Sequence, residues 1–271
     1  MSSIYPYHSL EEFLTATMLT VDAQVDDGWG SFFPVKGREI RGTVLFADIT
    51  GFSGRTAKLD PTETLAFVNH FFIWISAEAL RNRPGIVDKY IGDEVMVVFS
   101  TEFGSEDPFL DAVQAARWMG QNDAFAFGPH IGLASGMMIV GYVGTPLKYN
   151  CSVFGAPVAL AARCAGIRAE PPHYHGNYSS LITFPAAEWG ERDLNEVFPN
   201  KRYEGPDGTA HEQPHAWKLL SARPVEMKNL PTTEVRQIVN TALWIPSQLP
   251  EDRAREAVRE IGQAGRRWRS P

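Results

Sequence analysis

Thr43-Val44-Leu45-Phe46-Ala47-Asp48-Ile49-Thr50-Gly51-Phe52-Ser53-Gly54 is the stretch on which the fold turns. Residues 43–47 are β-branched or apolar and predict a buried strand, which runs directly into the carboxylate of Asp48. The glycines and hydroxyls that follow can present backbone N–H groups to a polyphosphate. A second acid, Asp93, falls in the turn Ile91-Gly92-Asp93 between two short predicted strands, 86–90 and 94–99. Adjacent strands of one sheet would bring the two carboxylates together, where they repel unless a divalent cation lies between them. Hard oxygen ligands with open positions favour Mg²⁺ or Mn²⁺ shared with substrate phosphates.

Outward from this pair, Asp60-Pro61-Thr62-Glu63 reads as a capped helix start, with Asp60 as cap, Pro61 in the first turn and Glu63 reaching back. That helix is expected to run to about Asn82 and to bury Leu65, Val68, Phe72 and Ile75. A second amphipathic helix spans 108–122, and two strands follow at 130–135 and 137–143. The strand–helix–strand–strand–helix–strand order predicts an α+β, ferredoxin-like sheet with helices over one face. A third helix covers 157–168. Residues 1–38 read as a helical lead-in, with Leu10, Phe13, Leu14, Met18 and Val21 at helical spacing before the breaker-rich stretch 28–34. One domain is expected over 39–240, with an insertion at about 169–224 and a C-terminal tail, 241–271, whose arginines fit a solvated helix better than a partner-binding one.

The chain has 271 residues, 25 Lys+Arg against 32 Asp+Glu, and a formal net charge of −7, which argues against non-specific coating of nucleic acid. Two cysteines cannot build a disulfide framework and suit a reducing compartment. The start Met1-Ser2-Ser3-Ile4-Tyr5-Pro6 lacks the features of a signal peptide, and the apolar stretch 65–80 is too short and too interrupted to span a bilayer. A cytoplasmic protein with neither nucleic-acid nor membrane partner is the expectation.

With these residues in view, Phe46-Ala47-Asp48-Ile49-Thr50-Gly51-Phe52-Ser53 resembles the first metal motif of the class III nucleotidyl cyclases. Lys89-Tyr90-Ile91-Gly92-Asp93-Glu94-Val95-Met96 is similar to the second, and residues 152–163 to the third in an altered form. Val225-Glu226-Met227-Lys228-Asn229-Leu230-Pro231 looks like the lysine strand that closes that domain. The resemblance implies a homodimer with sites at the interface and two Mg²⁺ or Mn²⁺ ions per site, held by Asp48, Asp93 and the Ile49 carbonyl. It implies that Thr50, Gly51, Phe52 and Ser53 cradle the triphosphate, that Lys228 pins its terminal phosphates, and that Arg163 reaches the transition state from the other protomer. It assigns Lys89 and Ser152 to the base.

Two positions depart from the pattern of a purine cyclase. Ala159 stands where the family usually has a ribose-orienting Asn, and Ser152 where adenylate cyclases commonly place Asp or Thr. Lys89 only donates, so it suits adenine N1, cytosine N3 or a uracil carbonyl and disfavours guanine. With no carboxylate at 152, uracil is the base favoured, since an anion would repel its carbonyls. A stand-alone cyclase of this kind resembles the Pycsar-type pyrimidine cyclases of bacterial antiphage defence, which make cyclic UMP or cyclic CMP for a separate effector. Tyr149 or Phe154 would narrow the pocket for the smaller ring.

The rival readings are an adenylate cyclase and a degenerate nucleotide-binding module that signals by dimerisation; the lack of paired glycines at 91–94 counts against a diguanylate cyclase. His173, His175, His211 and His215 read as solvated loop residues, Cys151 and Cys164 as packing residues, and Phe71, Phe72 and Trp74 as core or dimer packing.

Overall fold

The computed structural model describes residues 6–26, 28–121, 123, 127–145, 148–169, 180–204, 209–241 and 258–259. In chain order the first half comprises α1 (Leu10–Ala16), β1 (Val21–Asp26), β2 (Phe32–Asp48), α2 (Phe52–Thr56), α3 (Pro61–Leu80), β3 (Gly85–Ile91), β4 (Glu94–Ser100) and α4 (Pro108–Gln121). The second half adds β5 (His130–Thr145), β6 (Lys148–Phe154), α5 (Ala156–Ala165), β7 (Leu181–Pro185), α6 (Ala186–Trp189) and α7 (Leu194–Val197). It closes with β8 (Lys201–Glu204), β9 (Ala210–Gln213), β10 (Trp217–Leu219), β11 (Arg223–Val225) and β12 (Thr233–Asn240).

The expected strand–helix–strand–strand–helix–strand unit is present as β2, α3, β3, β4, α4 and β5, its strands lying side by side as β5-β2-β4-β3. Beyond β5 the sheet continues through β7, which runs parallel to it, and then β12 and β10. Alternate residues divide between two cores. Leu45, Ala47, Val95, Val97 and Phe99 pack against Phe67, Phe71 and Ile75 of α3 and Ala112, Val113 and Ala116 of α4. Val44, Phe46, Met96 and Val98 face the other way, onto Leu10, Phe13 and Leu14 of α1 and Ala161 and Ala165 of α5. Helices thus cover both faces and not one as expected, so both parities are apolar and the central strands read as continuous hydrophobic runs.

The Asp60–Glu63 capping box forms as expected: Glu63 N donates to Asp60 Oδ1 at 2.8 Å and Asp60 N to Glu63 Oε2 at 3.0 Å. The buried stripe of α3 is not the expected one. Phe67, Phe71, Ile75 and Ala79 are buried, Val68 and Phe72 are half-buried, and Leu65 is exposed. The helix is apolar around most of its girth, so spacing alone did not select a face.

Three further expectations are corrected. Among the described residues the N-terminal lead-in is helical only in α1; Val21 begins β1, which pairs with the first part of β2, and Gly28 and Gly30 lie between them with positive φ. Residues 130–145 form one strand, because Gly136 at φ 156 lets the backbone continue through what reads as a break. Within 169–224, β7 lies inside the main sheet and Phe184, Trp189 and Phe198 enter its core, so the described part of this stretch is not set apart as an insertion; among the described residues β8 and β9 form a separate hairpin. The tail beyond Thr241 lies outside the described residues apart from Val258 and Arg259.

Candidate active site

β2 and β4 are antiparallel, which sets Asp48 opposite Glu94 and places the β3–β4 turn, with Asp93, beside the end of β2. Gly92 takes φ 63 there, a conformation that costs a side-chain-bearing residue energy. The Asp48 and Asp93 carboxyls lie within reach of each other. Burial first, then the neighbouring Asp93 carboxyl and its charge, push the Asp48 carboxyl up to about 8; Arg168 opposes this. Glu94 is raised as well, by burial and by Asp93. Two carboxyls brought together in this way, with Asp48 pushed up beside Asp93, suit a hard divalent cation, and the donor set fits Mg²⁺ or Mn²⁺. Among the described residues no cluster of three or more His, Cys, Asp or Glu side chains forms a metal site.

The segment after Asp48 turns sharply. Ile49 is buried, the Thr50 hydroxyl donates to the Gly128 carbonyl, and Gly51 opens α2 in the left-handed region at φ 66. Space around Gly51 is open, so the backbone angle and not crowding demands glycine. Ser53 is exposed and Phe52 half-buried. On the other flank of Asp48 stands His130 of β5, in register with it. His130 Nδ1 is hydrogen-bonded to Arg168, and burial, with Arg168 and Arg55 adding to it, drives the His130 pKa down to about 3. His130 is thus a neutral acceptor that orients an arginine beside the acid pair. Neither residue was singled out from the sequence, where a histidine opening a strand and an arginine after a helix carry no distinctive pattern.

A second cluster gathers the residues assigned to the base. Ser152 Oγ donates to Asp88 Oδ2 at 2.8 Å, and Lys89 Nζ lies 3.4 Å from the same oxygen. Lys89 Nζ also sits 5.7 Å from the centre of the Phe154 ring, two residues along β6 from Ser152 and on the same side of that strand. Tyr149 instead stacks on Tyr142 at 5.0 Å. Asp88 escaped the sequence reading because its side chain is aimed by a β-bulge: Val87 pairs with Val97 and Lys89 with Met96, leaving Asp88 as the extra residue.

Arg163 and Lys228 are not drawn into either cluster. Arg163 is exposed on α5, one turn after exposed Ala159. Lys228 is exposed in the turn between β11 and β12 and not on a strand, because Asn229 takes φ 63 and Leu230 N closes onto Met227 O. Among the described residues neither side chain makes an ion pair. His215 hydrogen-bonds Asn195, His211 lies on β9, and His173 and His175 fall outside the described residues.

No family model matches the chain. It is similar to an uncharacterised protein of Mycobacterium tuberculosis, 26% identical over 196 residues that cover 70% of this chain and 35% of that one. It is also similar to an adenylate cyclase of Anabaena cylindrica, 27% identical over 139 residues, 47% of this chain and 27% of that one. The chain therefore spans about a third of the length of the curated relatives it matches. Among solved structures it superposes on the guanylyl cyclase Cya2 with a TM-score of 0.52 at 20% identity, covering 79% of this chain and 96% of that one. The adenylyl cyclase CyaB from P. aeruginosa gives 0.50 at 17% identity, with 75% and 95% covered. A dimeric guanylyl cyclase domain of the RhoGC fusion protein from Blastocladiella emersonii gives 0.51 at 16%, with 74% and 97% covered. The fold is that of the class III cyclase domains. No helix among the described residues is long and apolar enough to cross a membrane.

Proposed function

We propose that the chain is a nucleotidyl cyclase, converting a nucleoside triphosphate to its 3′,5′-cyclic monophosphate and pyrophosphate. The observation that carries this is the Asp48–Asp93 carboxyl pair, brought together at the end of β2 within the cyclase fold. In the reaction the ribose 3′-oxygen bonds to the α-phosphorus, the bond from that phosphorus to the bridging oxygen breaks, and the hydroxyl proton is lost to solvent. Asp48, Asp93 and the Ile49 carbonyl would hold the Mg²⁺ or Mn²⁺ ions. Such an ion supplies positive charge that eases loss of the hydroxyl proton and offsets the triphosphate. The segment 50–53 positions the phosphates, and Lys228 adds a positive charge to the terminal ones. Arg163 is always charged and presents a planar fork to the oxygens of the five-coordinate phosphorus. Its exposure within one chain fits a homodimer in which it completes the site of the other protomer.

Two readings of the base have support. Ser152 and Ala159 favour UTP, and with it a role as second-messenger synthase in antiphage defence whose cyclic UMP is read by a separate effector. Asp88, 2.8 Å from Ser152, favours a base that carries an amino group, as in ATP or CTP.

The test is to incubate the purified protein with Mn²⁺ and each of ATP, GTP, CTP and UTP, and to resolve the products by chromatography. A cyclic nucleotide that disappears in Asp93→Ala supports the cyclase. Nucleotide binding without product from any of the four would mean a signalling module instead.

A further inference from the structure

We infer that Asp88 is a positioning residue for the base: it holds Ser152 as a hydrogen-bond acceptor beside the donor Lys89, so that the site selects a base with an amino group next to a ring nitrogen. This rests on the cyclase reading for its substrate, and deepens it by naming the nucleotides of adenine and cytosine.

The argument begins with a costly group. The Asp88 side chain is only 1% exposed, and among the described residues its Oδ1 has no hydrogen bond of normal geometry. Burial raises its pKa, while Ser152, Lys89 and the Val153 amide favour the charged form. A buried carboxylate left half satisfied is expensive, and a bulge is spent on aiming it. What it engages are the two side chains assigned to the base, at 2.8 Å and 3.4 Å.

That engagement fixes their polarity. A free serine hydroxyl both donates and accepts; one whose proton is committed to a carboxylate offers a ligand only lone pairs. Lys89 offers only protons. Donor and acceptor therefore stand side by side in a set order. Adenine and cytosine match it with a ring nitrogen and the adjacent amino group. Uracil can give its N–H to Ser152 only with a carbonyl on each side of it, so the second carbonyl meets the lone pairs held in place by Asp88. The carboxylate absent from position 152 has thus been supplied from β3.

The test compares 3′-deoxy-CTP with 3′-deoxy-UTP, which have the same ring size and differ at the base edge. Binding of each to the full chain with Mg²⁺ is measured by calorimetry for the wild type, Asp88→Asn and Ser152→Ala. The wild type is expected to bind the cytidine nucleotide roughly tenfold more tightly, and both variants to bring the ratio to within about threefold. Tighter binding of the uridine nucleotide by the wild type, no binding of either, or an unchanged ratio in the variants would overturn the inference. If Asp88→Asn does not fold, Ser152→Ala decides alone. Turnover separates the two levels: a lost preference in a chain that makes no product leaves this inference standing against the cyclase reading. Turnover with an unchanged preference does the reverse.

Discussion

Asp48 and Asp93 meet at the end of β2, and burial together with Asp93 pushes the Asp48 carboxyl up to about 8. Its ordinary value is 3.8, so from about pH 4 to about pH 8 the folded chain holds a proton that the unfolded chain has released. His130 opposes this in the lower part of that window, being neutral in the folded chain and protonated below about pH 6.5 in the unfolded one. Stability is expected to fall as pH rises from about 6.5 to about 8, where of these two groups only the Asp48 proton distinguishes folded from unfolded. Metal displaces the proton, so the rise in Tm on adding Mn²⁺ is expected to grow with pH. Scanning fluorimetry between pH 6.5 and 8, where His130 is neutral whether folded or not, with Mn²⁺ and with chelator, checks both slopes. Asp48→Asn should flatten them, and a Tm that climbs with pH over that range in chelator would contradict the raised Asp48 carboxyl.

Exposed Arg163 predicts complementation. Asp93→Ala and Arg163→Ala should each lower turnover by roughly a hundred- to a thousandfold. Mixed, the two variants should recover activity, because one of the two sites in a heterodimer is then intact; random pairing gives about a quarter of the wild-type rate. Titrating one variant against the other measures this, and a mixture no better than its parts argues that Arg163 acts within its own chain.

The seat of α5 is set by Gly132 on β5. A Cβ there would fall on the Ala161 carbonyl oxygen and the Ala165 amide, both backbone atoms that cannot swing aside. Gly132→Ala is expected to cost about 1–3 kcal/mol in denaturant unfolding. It should also reduce turnover beyond the lost folded fraction, since α5 carries Arg163.

Cys151 and Cys164 are both buried, and burial pushes each thiol up to about 12. Neither should react appreciably with iodoacetamide at pH 7 in the native protein, and both should react once it is unfolded. Mass spectrometry of the labelled chain reads this directly; rapid native labelling of either would show that its cover opens.

Much of the fold was legible because local signals agreed with tertiary ones. The strand into Asp48, the Asp60–Glu63 cap and the β3–β4 hairpin each depend on residues close in sequence. What was missed depends on partners far away. Nothing near Leu181 announces a strand that pairs in parallel with β5, and nothing in α3 says which of its apolar sides meets the sheet. The candidate site follows the same rule. Asp48 and Asp93 were readable from their places at strand ends, whereas Asp88, His130 and Arg168 gain meaning only from what the folded sheet sets beside them. Position 152 is a serine, and the carboxylate of Asp88 that lies against it comes from another strand, which only the folded sheet reveals.

The bulge at Asp88 bears on solubility too. Among the described residues β3 pairs only with β4, so it forms one rim of the main sheet with a row of unused backbone N–H and C=O groups. Such a rim is a template for strand addition by another chain, and an extra residue that breaks the regular pleat makes it a poor one. Removing Asp88 outright would restore the pleat, and the deletion should clump on heating where the wild type refolds.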